Sequence, residues 1–114
     1  IWYCRNYQKY GNHETVLPVD AHQLIASIAP RPVYVASAEQ DRWADPRGEY
    51  LSAFHASTVY QLLGKRGLTS ESPPEADHAI IESEVDYHLK TGGHSIDKFD
   101  WEKFLEFADY HLKR

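Results

Sequence analysis

Two polar clusters hold the side chains of this sequence that could do chemistry: Glu39-Gln40-Asp41-Arg42-Trp43 and Gly92-Gly93-His94. A carboxylate set beside an imidazole is what nucleophilic hydrolysis needs. The acid accepts from one ring nitrogen, fixing the tautomer and stabilising the imidazolium, while the other nitrogen passes a proton to and from a serine. His94 is the base in this reading. Asp41 is the acid, with Glu39 and Asp45 as competitors. Asp45 precedes Pro46, where a carboxylate also caps the open amides of a helix start. The two glycines let the backbone turn tightly enough to aim the imidazole into a site. Trp43, in an otherwise polar loop, has the shape to stack on a sugar ring.

Elements of a particular kind must place these clusters together. Residues 33–38 (VYVASA) form a near-continuous apolar run, which predicts a strand buried on both faces of a parallel sheet. Residues 85–90 (VDYHLK) alternate and predict a second strand. In open α/β sheets, ligands bind beyond the carboxyl ends of strands, and both clusters sit there. Between them, apolar positions Tyr50, Leu51, Phe54, Thr58/Val59 and Leu62/Leu63 recur at helical spacing over 47–64, with Gly64 as the stop. Residues 65–79 read as a surface excursion. A last helix is expected from about Asp100 to Leu112, with Trp101, Phe104/Leu105, Ala108 and Leu112 on one apolar face. Ahead of the first strand, Asp20 and Gln23 form a capping box for a short helix ended by Pro30, and His22 belongs to the same local packing. Residues 1–19, with Trp2, Tyr3, Tyr7 and Tyr10, predict a short helical or extended segment packed on a larger body.

The alternation of helix and strand predicts α/β architecture with parallel strands. Two strands alone leave both faces and both edges uncovered, so the chain reads as the last part of a larger sheet, incomplete as a fold by itself. Its start at Ile1 supports the same expectation. With 114 residues and a net charge of −5, the chain is at most one domain, and its acidity argues against sequence-independent nucleic-acid binding. No apolar run is long enough for a membrane span, and no signal peptide precedes the first helix. The single Cys4 excludes an internal disulfide and reads as a buried small residue. Seven histidines occur, but none in His-x-His or His-x-x-x-His spacing, so no metal or cofactor is expected. Glu82-Ser83-Glu84 reads as a solvated face.

The segments WYCRNYQKY, LPVDAHQLIASIAPRPVYVASAEQDRWADP and HLKTGGHSIDKFDWEKFLEFADYHL resemble the C-terminal part of bacterial glucuronoyl esterases, carbohydrate esterase family 15. The order of acid before histidine is also that of the α/β-hydrolases, in which a nucleophile elbow precedes both. The resemblance covers nearly the whole chain, apart from the 65–82 excursion. It implies an α/β-hydrolase three-layer sandwich with His94 as catalytic histidine, Asp41 as the acid after the penultimate strand and Trp43 against the glucuronate. It implies hydrolysis of the ester joining 4-O-methyl-glucuronate of xylan to lignin alcohols, by an enzyme secreted or exported to the periplasm.

The sequence departs from the family in two places. No Gly-x-Ser-x-Gly surrounds any of the serines at 27, 37, 52, 57, 70, 72, 83 and 95. The nucleophile and oxyanion donors would therefore come from an N-terminal portion of the same enzyme. Some members take their acid from an earlier strand, which would lie upstream of Ile1. Fungal members follow the histidine with cysteine, where this chain has Ser95. Two other readings stay open here: an acetyl-xylan or related carbohydrate esterase, and a non-catalytic carbohydrate-binding fragment with Trp43 and the tyrosines as a platform.

Overall fold

The computed structural model describes residues 4–113. In chain order these form α1 (Arg5–Gln8), a 3-10 turn (Glu14–Val16), α2 (Ala21–Ala26), β1 (Val33–Ala38), α3 (Pro46–Leu62), β2 (His78–Ile80), β3 (Val85–Lys90) and α4 (Lys98–Leu112). None of these helices is long and apolar enough to cross a membrane.

Local chemistry sets the helix ends. Asp20 accepts from the Ala21 amide at 2.7 Å and Gln23 Oε1 accepts from the Asp20 amide at 2.9 Å, the expected capping box of α2. Asp45 caps α3 by accepting from the Gly48 amide, with Pro46 as the first helical residue. At the other end Gly64 adopts φ +71, and the amides of Gly64 and Lys65 return to the carbonyls of Gln61 and Tyr60. That is a Schellman stop, and its left-handed residue favours glycine. The last helix starts at Lys98 rather than near Asp100, because Asp97 and Asp100 cap it reciprocally.

The sheet order is β1-β3-β2. β1 and β3 run parallel, with Val33 opposite Val85 and Ala38 opposite Lys90. β2 is antiparallel to β3 and was not expected, since its residues fall at the end of the 65–79 excursion and just beyond it. Three residues are too few to carry a period, and tertiary partners fix this strand. Asp77, at φ +62, accepts from the Thr91 amide at 2.8 Å and the Thr91 hydroxyl at 2.9 Å. Within the described residues the two parallel strands differ in burial. β1 is an edge of this sheet, half-buried with Ala36 exposed, while β3 is central and buried almost throughout.

The core lies between α3 and one face of the sheet: Tyr50, Ala53, Tyr60, Leu68, Val85 and Tyr87. The expected apolar stripe of α3 holds at Tyr50 but drifts off by its last turns, where Val59, Leu62 and Leu63 are exposed. Ala53, Ala56, Ser57 and Tyr60 face inward instead, and the small side chains let the helix approach closely. Ser57 Oγ donates to the Ala53 carbonyl at 3.0 Å and accepts from the Leu68 amide at 2.9 Å. The buried tyrosines each find a carbonyl for the hydroxyl, Tyr50 at Ser70, Tyr60 at Arg31 and Tyr87 at Pro46.

On the other face, α4 presents Asp100, Phe104, Phe107 and His111, and the Tyr34 ring meets Phe104 and Phe107 at 5.6 and 5.1 Å. Trp101, Leu105 and Leu112 are 59%, 62% and 80% exposed, so Trp101 is not part of the core formed by the described residues. The helix carries two apolar stripes, and the one anchored by Asp100 meets the sheet. Cys4 is exposed rather than buried. Tyr7 is exposed and Tyr10 half-buried, while Trp2 and Tyr3 lie outside the described residues. Ser83 departs from the expected solvated face: it is buried, and its hydroxyl bonds the Val85 carbonyl and Asp86 Oδ1.

Candidate active site

Parallel register brings β1 and β3 to an end side by side, at Ala38 and Lys90. The loops beyond are laced together, with the Glu39 amide on the Lys90 carbonyl at 2.9 Å and the Gln40 amide on the Gly92 carbonyl at 3.0 Å. Gly92 takes φ +108, a conformation that side chains oppose, so one glycine of the pair is required by the turn. Asp41 is held in its own turn by its amide on Ala38 and its carbonyl under Ala44.

The outcome is a contact of 2.6 Å between His94 Nδ1 and Asp41 Oδ2. A carboxylate can only accept, so Nδ1–H donates, and in the neutral ring the lone pair sits on Nε2. The carboxylate is 13% exposed and the imidazole 90%. The acid is thus fixed in the wall while the base stands open. Both line a cleft of about 490 Å³ with Ser37, Glu49 and Lys90. The arrangement can orient an imidazole, leave its outer nitrogen free to take a proton, and stabilise the cation that results.

Glu39 is not brought to His94; it lines a separate cleft with Arg42 and Tyr87. Asp45 is spent on the cap of α3. Trp43 projects from the loop 98% exposed and touches neither His94 nor Asp41 by any hydrogen bond. Ser37 and Ser95 line the His94 cleft, but the Ser37 hydroxyl donates to Glu49 Oε2 at 2.6 Å.

Sequence reasoning missed four polar residues around this cleft. Glu49 reads locally as an ordinary acid in the first turn of a helix. Burial pushes its carboxyl pKa up, the Ser37 bond offsets part of this, and Asp41 and Asp45 push it further. The other three form a buried chain. His88 is bonded through Nδ1 to Tyr34 Oη and through Nε2 to Asp100 Oδ1, each at 2.9 Å. Lys90 Nζ meets Asp100 Oδ2 at 2.5 Å. Burial lowers the His88 pKa, with Asp100 offsetting part of it, so the ring is neutral and donates from Nε2. Burial alone would raise Asp100, but Lys90, the Asp97 amide and His88 hold it below the usual carboxylate range. Burial likewise opposes the charge on Lys90, and Asp100 with Asp97 outweighs it and raises the ammonium. The alternation of VDYHLK was the available signal, since it places Asp86, His88 and Lys90 on one face.

The family model described as "Glucuronyl esterase, fungi" matches residues 1–64, which include Asp41 and Trp43. The chain belongs to the glucuronoyl esterase family. A carbohydrate esterase of an unknown prokaryotic organism is 44% identical over 97% of this chain and 26% of its own length. Among solved structures, the glucuronoyl esterase from Solibacter usitatus superposes with a TM-score of 0.89 at 41% identity, over 97% of this chain and 28% of that one. A promiscuous esterase of carbohydrate esterase family 15, from a marine bacterial metagenome, gives 0.92 at 44% identity with the same coverage. The expected α/β-hydrolase architecture is therefore the architecture of this chain's family. The chain spans about a quarter of the length of these relatives.

Proposed function

We propose that this chain supplies the base and the acid of a serine-type esterase that cleaves the 4-O-methyl-glucuronoyl ester between glucuronoxylan and lignin alcohols. The observation that carries the reading is the 2.6 Å contact of His94 Nδ1 with Asp41 Oδ2 at the carboxyl ends of parallel strands. In this reading residues 1–114 are the C-terminal part of a single α/β-hydrolase domain. The nucleophilic serine and the oxyanion donors belong to the N-terminal portion of the same enzyme.

His94 Nε2 takes the serine proton as the hydroxyl attacks the ester carbonyl, and Asp41 stabilises the imidazolium formed. The proton then goes to the departing alcohol. In the second half, His94 takes a proton from water, which attacks the acyl-enzyme and frees the glucuronate. Trp43 offers its exposed ring to the sugar. A plant-wall substrate places the enzyme outside the cytoplasm, secreted or periplasmic. The chain, assembled with the N-terminal portion, should hydrolyse benzyl glucuronate in preference to acetylated xylan. Equal or reversed preference overturns the substrate assignment, and no ester cleavage overturns the enzyme assignment.

A further inference from the structure

We propose that Lys90 is the positioning residue of the His94 loop, acting on hydrolysis by holding the imidazole against Asp41. Its effect on rate rests on the esterase reading above; its effect on His94 geometry does not.

Lys90 is the last residue of β3 and only 3% exposed. Its three donors are all spent: on the Ser95 carbonyl at 2.5 Å, Asp97 Oδ2 at 3.0 Å and Asp100 Oδ2 at 2.5 Å. An ammonium has no fourth donor, so Lys90 has none left for substrate. The loop is tied before His94 by Gly92, through the Gln40 amide, and by Thr91, through Asp77. On the far side the first grip is Lys90, which takes the carbonyl of the very next residue. Without it, the chain between Gly93 and the cap of α4 loses its tether to the sheet, and His94 swings with it.

The tether is itself held. Asp100 fixes Lys90, His88 fixes Asp100, and Tyr34 fixes His88, each through the bonds given above. A strand, a helix and a neighbouring strand thus define where one ammonium sits. This is how a supporting shell locks a reacting group whose own side chain is 90% exposed among the described residues. Displacement of a catalytic group by about 1 Å costs on the order of 10²-fold in rate.

The test compares the chain assembled with its N-terminal portion in parental form with Lys90→Met, and with Lys98→Met as a control on a lysine whose side chain is 90% exposed. Long-range proton–nitrogen NMR, followed through a pH series, reports which ring nitrogen of His94 carries the proton. The parent and Lys98→Met should hold the Nδ1–H tautomer that Asp41 selects. Lys90→Met should lose it in favour of Nε2–H. In the assembled esterase, its kcat on benzyl glucuronate should fall about 10²-fold, with KM changed less than about twofold. If Lys90→Met fails to fold, Lys90→Gln, which keeps a donor for Asp100 but is too short to reach Ser95 as well, should give the same loss. A folded Lys90 variant with the parental tautomer and rate overturns the proposal. Failure of the parent to cleave any glucuronoyl ester overturns the esterase reading instead, and the tautomer comparison still decides the role of Lys90.

Discussion

His88 Nε2 lies 2.9 Å from Asp100 Oδ1, with the histidine side chain fully buried and the carboxylate 5% exposed. The pair joins the central strand to α4 beneath the cleft that holds His94. His88→Phe keeps an aromatic ring against Phe104 but orphans Asp100 Oδ1 and the Tyr34 hydroxyl. At about 1–3 kcal/mol for each buried group left unsatisfied, the variant should lose roughly 3 kcal/mol of stability in urea unfolding. The pH dependence has a definite sign. His88 is held neutral, with its pKa depressed, so its contribution is present above the ordinary imidazole range and fades as pH falls toward the depressed value. Between pH 7 and 5 the parent should therefore lose more stability than His88→Phe. An equal loss in both would contradict this.

Asp86 occupies the same face of β3, fully buried, with Oδ2 lacking a hydrogen-bond partner among the described residues and burial raising its pKa. A raised carboxylate costs stability above its folded pKa, and the cost fades as pH falls toward the ordinary value of about 3.9. Asp86→Asn removes the charge while keeping an acceptor for the Ser83 amide and hydroxyl. Its Tm relative to the parent should be most favourable at pH 7.5 and decline steadily by pH 4.5. A flat difference across that range would count against the buried charge as the cause.

Gly67 and Ser57 come so close that a Cβ on the glycine would stand 2.5 Å from both Ser57 Cβ and Ser57 Oγ. Neither the helix nor the segment can yield without breaking the Leu68 amide bond to Ser57. Gly67→Ala should cost about 1–3 kcal/mol by thermal unfolding, an overpacking effect. A variant as stable as the parent would mean that this contact is slack.

Caps were the most legible feature of the sequence, because Asp20, Asp45-Pro46 and Gly64 act through backbone groups within three or four residues. The placement of Asp41 and His94 beyond two strand ends was legible too, from the strand-then-polar-loop pattern. Their separation was not, since it depends on the register of β1 against β3. The buried charge chain was hidden for a related reason. A strand with Asp86, His88 and Lys90 on one face is locally indistinguishable from one that turns that face to water, and only α4 packing over it decides. The same rule misplaced Trp101: two apolar stripes compete on one helix, and Asp100 pairing with Lys90 selects between them.

Trp43 is 98% exposed in a loop anchored by Asp41 and Asp45 and packs on nothing among the described residues. Trp43→Ala should leave Tm unchanged and raise KM for the glucuronate ester about tenfold with kcat little altered, the mark of lost ground-state binding. A fall in Tm would assign the ring to the fold instead.

In the proposed function His94, oriented by Asp41, is the base of ester hydrolysis. The most direct measurement is kcat/KM on benzyl glucuronate for the chain assembled with the N-terminal portion, in parental, His94→Ala and Asp41→Asn forms. Both variants should fold as the parent does and lose on the order of 10⁴-fold. Hydrolysis by His94→Ala within tenfold of the parent would mean that His94 is not the base.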